Sequence, residues 1–399
     1  MDIGFGEALL ILGAILAVTA FLSGWFHGTV LSISVLSVAA GLVLAAAGVI
    51  DPDPHAEIVL FLVEIALLLT LFSDGLYAER ELMRREWHAP ARALVIALPI
   101  TLVLLAVAAK ALFSELTWEE AFLVGAVLSP TDPVVTSTVV TSRNVPAIIR
   151  HTLNLESGLN DGLALPLVLF FLVLAENEGS ALAEAGKLVG EVVVGALIGV
   201  AVAVVGSWSL SLPPGGRILL RYEGVFGLGM AFVAFGLAEA TYGNGLIAAF
   251  VAGIALAAVR VELPEAFTRF NETVSSAFQV MTFVVFGALT VATGWFSGST
   301  LALAVFVVFA LVVARPAAVL LSFIGVGLPR SQKLFVAWFG PKGVASMLFA
   351  LLVASSTIEH ETLVFDIASF VILASIAAHG LTDTLGASLL NRVAERTTA

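Results

Sequence analysis

Apolar residues in this chain run in long stretches, not in the one-sided stripes of a soluble amphipathic helix, and short polar clusters separate them. A transmembrane helix needs about 20 mostly apolar residues. Stretches of that kind lie at 7–23, 29–50, 57–77, 93–113, 119–139, 152–175, 186–207, 222–241, 244–259, 274–291, 299–327, 333–355 and 362–388, the first and 244–259 being the weakest. The pattern predicts an all-α polytopic membrane protein of about 13 transmembrane helices. Two segments are interrupted at their midpoints: the fifth by Pro130-Thr131-Asp132-Pro133, the twelfth by Gly340-Pro341-Lys342-Gly343. A proline in a helix frees the carbonyl four residues earlier, here those of Ala126, Ser129 and Ala337. At membrane depth a freed carbonyl survives only against protein or a wet cavity.

An odd count leaves two six-helix halves on either side of the seventh segment. Halves related by an inverted-topology repeat pair the fifth segment with the twelfth, so interrupted helices are expected to cross at the midplane and form a binding site. Composition agrees with a lipid environment: 60% of residues are hydrophobic, 12% are charged, and the mean hydropathy is +1.07, against about 45–50% and about 25% in soluble domains. The net charge of −12 and the lack of any basic patch argue against nucleic acid, and with no cysteine there are no disulfides. The first apolar stretch lacks a basic flank and a cleavage site, and is expected to be a retained helix. Arg315 and Lys342 fall inside segments; of the other 16 Lys and Arg, 14 sit in alternate connections or the C-terminal tail, with only Lys110 and Lys187 opposite. By the positive-inside rule the N-terminus lies outside and the C-terminus in the cytoplasm.

Four ionisable groups lie deep in apolar segments: Asp132, Glu156, Asp161 and Lys342. Each costs about 2.5–3.5 kcal/mol at a helix centre, more than interhelical polar contacts of about 0.6–2 kcal/mol return, so packing alone does not account for them. In Glu156-Ser157-Gly158-Leu159-Asn160-Asp161-Gly162, Ser157 and Asp161 share one helical face, and Glu156 and Asn160 share another. Asp161, the Ser157 and Thr131 hydroxyls and freed carbonyls make an all-oxygen cavity. Hard cations take oxygen ligands, and one carboxylate suits a monovalent ion. Glu156 and Lys342 are expected to form a structural ion pair, leaving Asp161, with Asp132 beside it, to titrate.

The Ser-Pro-Thr-Asp-Pro at 129–133 and the Glu-Ser-Gly-Leu-Asn-Asp-Gly at 156–162 resemble the monovalent cation:proton antiporter family of NhaP type, which includes the eukaryotic sodium/proton exchangers. Residues 242–253 (YGNGLIAAFVAG) and 340–346 (GPKGVAS) fit it too, in matching order over nearly the whole chain. The resemblance implies secondary active exchange of a cation (Na⁺ foremost, Li⁺ or K⁺ as alternatives) for H⁺ by alternating access, with Na⁺ held by Thr131, Ser157 and Asp161 and Asp132 helping through its backbone or a water. Asn160 stands where the electrogenic branch has a second aspartate, which implies electroneutral one-for-one exchange. The chain departs from the family at Lys342, where arginine is usual, and in the third segment, where the usual acidic position is Ser73 and the acid is the next residue, Asp74, an additional candidate ligand. The expectation is one transporter domain over 1–399, with core helices in 57–77, 119–175 and 333–388 and the others as scaffold and dimerisation surface. It would be a homodimer in a prokaryotic plasma membrane, with no cofactor.

Other classes fit less well. Ser157 lacks a G-x-S-x-G turn and His151 is at the membrane edge, which speaks against an enzyme. A cation channel would need a filter built by symmetric subunits. A sodium-coupled symporter shares broken helices at the midplane and is separated by its need for an organic solute. Of the other intramembrane polar residues, Glu64 is expected in an interhelical hydrogen bond, and Arg315 snorkelling at the inner end or pairing with a loop carboxylate.

Overall fold

A computed structural model describes residues 6, 10, 13–18, 20–21, 33–82, 88–132, 145–176, 181–210, 212, 222–259, 265–292, 294, 296 and 298–398. Among these the regular structure is helical throughout. The helices are α1 (Ile33–Ala46), α2 (Glu57–Leu82), α3 (His88–Leu112), α4 (Trp118–Val127), α5 (Ala147–Glu176), α6 (Ala181–Ser209), α7 (Glu223–Glu239), α8 (Gly245–Val259), α9 (Glu265–Ala292), α10 (Thr300–Ser322), α11 (Arg330–Trp338), α12 (Val344–Ala354) and α13 (Glu361–Thr398). Seven are long and apolar enough to cross a membrane, and α8, α12 and residues 35–46 of α1 form shorter apolar helices. Every apolar segment from the second onward contains one or more of them, while the first is described only at scattered helical positions. Pro133 lies outside the described residues.

The helices form two packed groups. In one, α9 lies on α1 and α2, and α8 on α2 and α6, with α7 against α8 and α9. In the other, α4 packs on α3, α5 and α13, and α12 on α13. The groups meet where α2 crosses α5 and α12. Glycines set the closest approach: a Cβ at Gly75 on α2 or at Gly253 on α8 would strike the other helix's backbone.

Helices end at both places where Pro and Gly predict an interruption; in the fifth segment the residues after Asp132 lie outside the described ones. The helix α4 begins with a capping box, Thr117 Oγ1 accepting from the Glu120 N–H and the Glu120 carboxylate from the Thr117 N–H, and ends at Val127. Residues 129–132 are non-helical and buried. The twelfth segment breaks into α11 and α12 around residues 339–343. Two further irregularities are π-helical turns, Ala93–Ala97 in α3 and Ala310–Ala314 in α10. Each is followed within two residues by a proline, Pro99 or Pro316. A proline ring clashes with the carbonyl four residues back, and a widened π-turn there removes the clash without ending the helix. These prolines lie in the fourth and eleventh segments, which the two-half division also pairs.

Candidate functional site

The two interruptions cross and complete each other's backbone. The Asp132 N–H donates to the Pro341 carbonyl at 2.9 Å, and the Val344 N–H donates to Asp132 Oδ2 at 3.0 Å. Asp132 thus sets its negative charge on the N-terminus of α12. In the opposite sense, Lys342 Nζ donates to the carbonyls of Pro130 at 3.2 Å and Ser129 at 3.4 Å, just past the C-terminus of α4. Helix ends carry about half a charge, positive at the N-terminus and negative at the C-terminus, so each interruption supplies the counter-charge for the other's broken helix. Gly343 is required here because a Cβ would collide with the Asp132 side chain.

The expected Glu156–Lys342 pair does not form. Glu156 is held by Arg315 in a bidentate pair, Nη1 to Oε1 at 2.6 Å and Nη2 to Oε2 at 3.2 Å, with both side chains about 6% exposed. Lys342 faces carbonyls instead, including that of Ser129, one of those expected to line the cavity. Arg315, expected to snorkel or to meet a loop carboxylate, is buried in mid-protein. Its backbone follows the π-turn directly, and its guanidinium lies against Gly340, where any Cβ would collide with it. The planar guanidinium fork matches a carboxylate as a lysine ammonium does not, so the arginine missing from the glycine–proline turn is supplied by α10. Glu64, expected to make an interhelical hydrogen bond, is exposed on α2 and makes none among the described residues.

Asn160 ties α5 to the crossing. Its Nδ2 donates to the Thr131 carbonyl at 3.0 Å and to Thr131 Oγ1 at 2.9 Å. Glu156 and Asn160, four residues apart, are therefore the face of α5 that binds protein. The other face, Ser157 and Asp161, is buried yet differently equipped. Asp161 Oδ1 is enclosed with no hydrogen-bond partner, as are Asn160 Oδ1 and, on α2, Ser73 Oγ and Asp74 Oδ2. Asp161 is within electrostatic reach of Asp74 and Asp132. Orphaned buried acceptors are rare, and each costs about 1–3 kcal/mol. Several of them around one pair of mutually repelling carboxylates is a place for a cation or a proton.

The sequence also gave no warning of a support behind Lys342. Ser375 Oγ on α13 accepts the Lys342 N–H at 2.9 Å, and the His379 ring bridges Ser375 and the Trp338 carbonyl at the end of α11, with Nε2 2.9 Å from that oxygen. The only available signal was the four-residue spacing of Ser375 and His379 in an apolar segment.

Known proteins resemble this chain along most of its length. Residues 14–385 match the family model described as "Sodium/hydrogen exchanger, transmembrane". A K⁺/H⁺ antiporter NhaP of Alkalimonas amylolytica is 25% identical over 82% of this chain and 56% of its own length, and an NhaP2 of Shewanella oneidensis is 24% identical over 98% and 68%. The chain spans little more than half the length of several curated relatives that it matches. Among solved structures, the sodium proton antiporter MjNhaP1 of Methanocaldococcus jannaschii superposes with a TM-score of 0.73 at 21% identity, covering 96% of this chain and 98% of that one, which establishes a shared fold.

Proposed function

Because the chain belongs to the sodium/hydrogen exchanger family of cation/proton antiporters, we propose that it exchanges a monovalent cation for protons across a plasma membrane, one for one, with Asp161 as the single carrier site. Na⁺ is the first candidate and Li⁺ and K⁺ are the alternatives. The observation that carries this reading is the contrast at mid-membrane: Asp132, Glu156, Arg315 and Lys342 all have protein partners, whereas Asp161 keeps an enclosed oxygen with none. Burial favours the protonated form of a carboxyl group and an adjacent cation favours the ionised form, so one carboxylate can hold either substrate in turn. Ser157 and Thr131 contribute neutral oxygens; the Thr131 hydroxyl oxygen accepts from Asn160 and keeps a second lone pair. Asn160 favours one-for-one exchange, since its two donated hydrogen bonds need an amide and it carries no titratable charge.

The 14 to 2 division of connecting Lys and Arg supports an outside N-terminus and a cytoplasmic C-terminus. The core is read as containing 57–77, 119–175 and 333–388, the other helices forming a scaffold and the contact between two protomers.

The test is exchange in proteoliposomes, followed as collapse of a pH gradient on adding Na⁺, Li⁺ or K⁺ without an organic solute. If cation and proton compete for one group, the apparent KM for the cation rises about tenfold per pH unit below that group's pKa, with the maximal rate much less affected. Asp161→Asn can neither release a proton nor balance the cation and abolishes exchange while the protein still folds. Substantial exchange by folded Asp161→Asn protein overturns the single-site reading, and a rate that follows a clamped membrane potential overturns the one-for-one stoichiometry.

A further inference from the structure

One face of the membrane-spanning helix α9 is polar. Thr268, Asn271, Ser275, Gln279 and Thr282 recur every three or four residues, which places them on one side of the helix. Midway along it, Gln279 reaches across to α2: Nε2 donates to Thr70 Oγ1 at 2.9 Å and to Ser275 Oγ at 3.2 Å, and the two hydroxyls stand 3.4 Å apart. Both hydroxyl-bearing residues are buried, Thr70 at 6% and Ser275 at 3% exposure. Thr101, Thr152, Thr282 and Thr290 satisfy their hydroxyls on the carbonyl four residues back. Thr70 and Ser275 instead bond between helices, and among the described residues the amide oxygen of Gln279 accepts nothing.

Position connects this cluster to the candidate site. Thr70 precedes Ser73 by three residues and Asp74 by four, so all three share one face of α2, with Asp74 about 6 Å further along the axis. Ser73 Oγ and Asp74 Oδ2 are the enclosed, unpartnered atoms on that face. Asp74 in turn is within electrostatic reach of Asp161. The line from Asp161 through Asp74 therefore continues into a rung of neutral oxygens held between α2 and α9.

We propose that Thr70, Ser275 and Gln279 form a second, uncharged coordination point for the transported cation, and that this rung sets how well K⁺ is accepted relative to Na⁺. A carboxylate is a strong-field ligand that rewards the smaller ion. Hydroxyl and amide oxygens have weaker fields and suit the larger, less tightly hydrated one. Among the described residues none of the three hydrogen-bonds to the Asp132–Lys342 crossing, so loss of the rung should alter ion preference, not the turnover machinery. This inference rests on the exchange activity proposed above.

The experiment compares KM for Na⁺ and for K⁺ in proteoliposomes of the full chain, for the wild type, Gln279→Leu, Thr70→Val and Ser275→Ala. The expected result is a rise of about three- to tenfold in the K⁺ KM, the worth of one neutral ligand, with the Na⁺ KM and both maximal rates nearly unchanged. Thr70→Val keeps its shape and serves if Gln279→Leu fails to fold. Folded variants whose two KM values rise together, or do not move, overturn the proposal, as does a loss confined to the maximal rate. If the wild type exchanges neither ion, the antiport reading itself fails and the inference with it.

Discussion

The two faces of α5 show how one helix separates structure from transport. The Glu156 carboxylate and the Asn160 NH2 group point at protein and are met there, by the Arg315 fork and by Thr131. Ser157 and Asp161 are rotated from them by about 100°, and Asp161 Oδ1, like Ser73 Oγ and Asp74 Oδ2 on α2, meets no partner. Both faces bury a carboxylate at similar depth, so depth alone does not identify the working group. The difference lies in whether the charge is answered by the protein: an answered carboxylate is fixed in one state, and an unanswered one is free to alternate between a cation and a proton. If this is right, mutations on the first face reduce stability and mutations on the second reduce exchange.

The largest stability effect should come from Arg315. Removing one partner of a buried ion pair leaves the other uncompensated, at about 3–5 kcal/mol. Arg315→Ala is expected to lower the melting temperature in detergent more than any other substitution at the crossing. The double variant Arg315→Leu with Glu156→Leu should recover much of that loss, because it removes both charges. A fully stable Arg315→Ala protein without exchange would move Arg315 to the transport face and break the distinction.

Lys342 belongs to the same class with a smaller effect, because its ammonium hydrogen-bonds carbonyls and not a carboxylate. Its contribution is the charge–dipole attraction at the end of α4, up to about 2 kcal/mol in buried geometry. Lys342→Met keeps the side chain's bulk, so a drop in melting temperature about half that of Arg315→Ala is expected. An equal or larger drop would show that the ammonium also stabilises Glu156 at a distance.

These two residues also mark the limit of what the sequence disclosed. The all-helical architecture and the helix ends at both breaks were legible because apolar length and the Pro/Gly signal are local properties of the chain. So was the crossing of the two breaks, from their matching places in the two halves. The partner of Glu156 was not legible. Lys342 stood in the expected motif, whereas Arg315 reaches Glu156 only because Pro316 induces the Ala310–Ala314 π-turn and Gly340 leaves room for the guanidinium. The three features lie far apart along the chain from Glu156, and no periodicity links them. The full polar stripe of α9 was not legible because the apolar window began at 274, so Thr268 and Asn271 fell outside it and the stripe was cut short.

The smallest effect expected is that of Ser157→Ala, and it is the sharpest probe of the contrast. Ser157 is buried one turn before Asp161 on the face with no protein partners. A hydroxyl that held the fold together would leave an orphaned partner when removed, at about 1–3 kcal/mol, but no hydrogen bond to the Ser157 hydroxyl exists among the described residues. Its deletion should leave the stability within about 0.5 kcal/mol of the wild type, the usual range for a substitution that breaks no contact, and the melting temperature nearly unmoved. What it does remove is one neutral ligand of the cation, which should raise the cation KM by about three- to tenfold. The proton has no use for that ligand, so the pH dependence of the maximal rate should not move. Parallel measurement of melting temperature and KM separates the outcomes: a destabilised protein with an unchanged KM would place Ser157 with Glu156 and Asn160, and the two faces of α5 would no longer divide structure from transport.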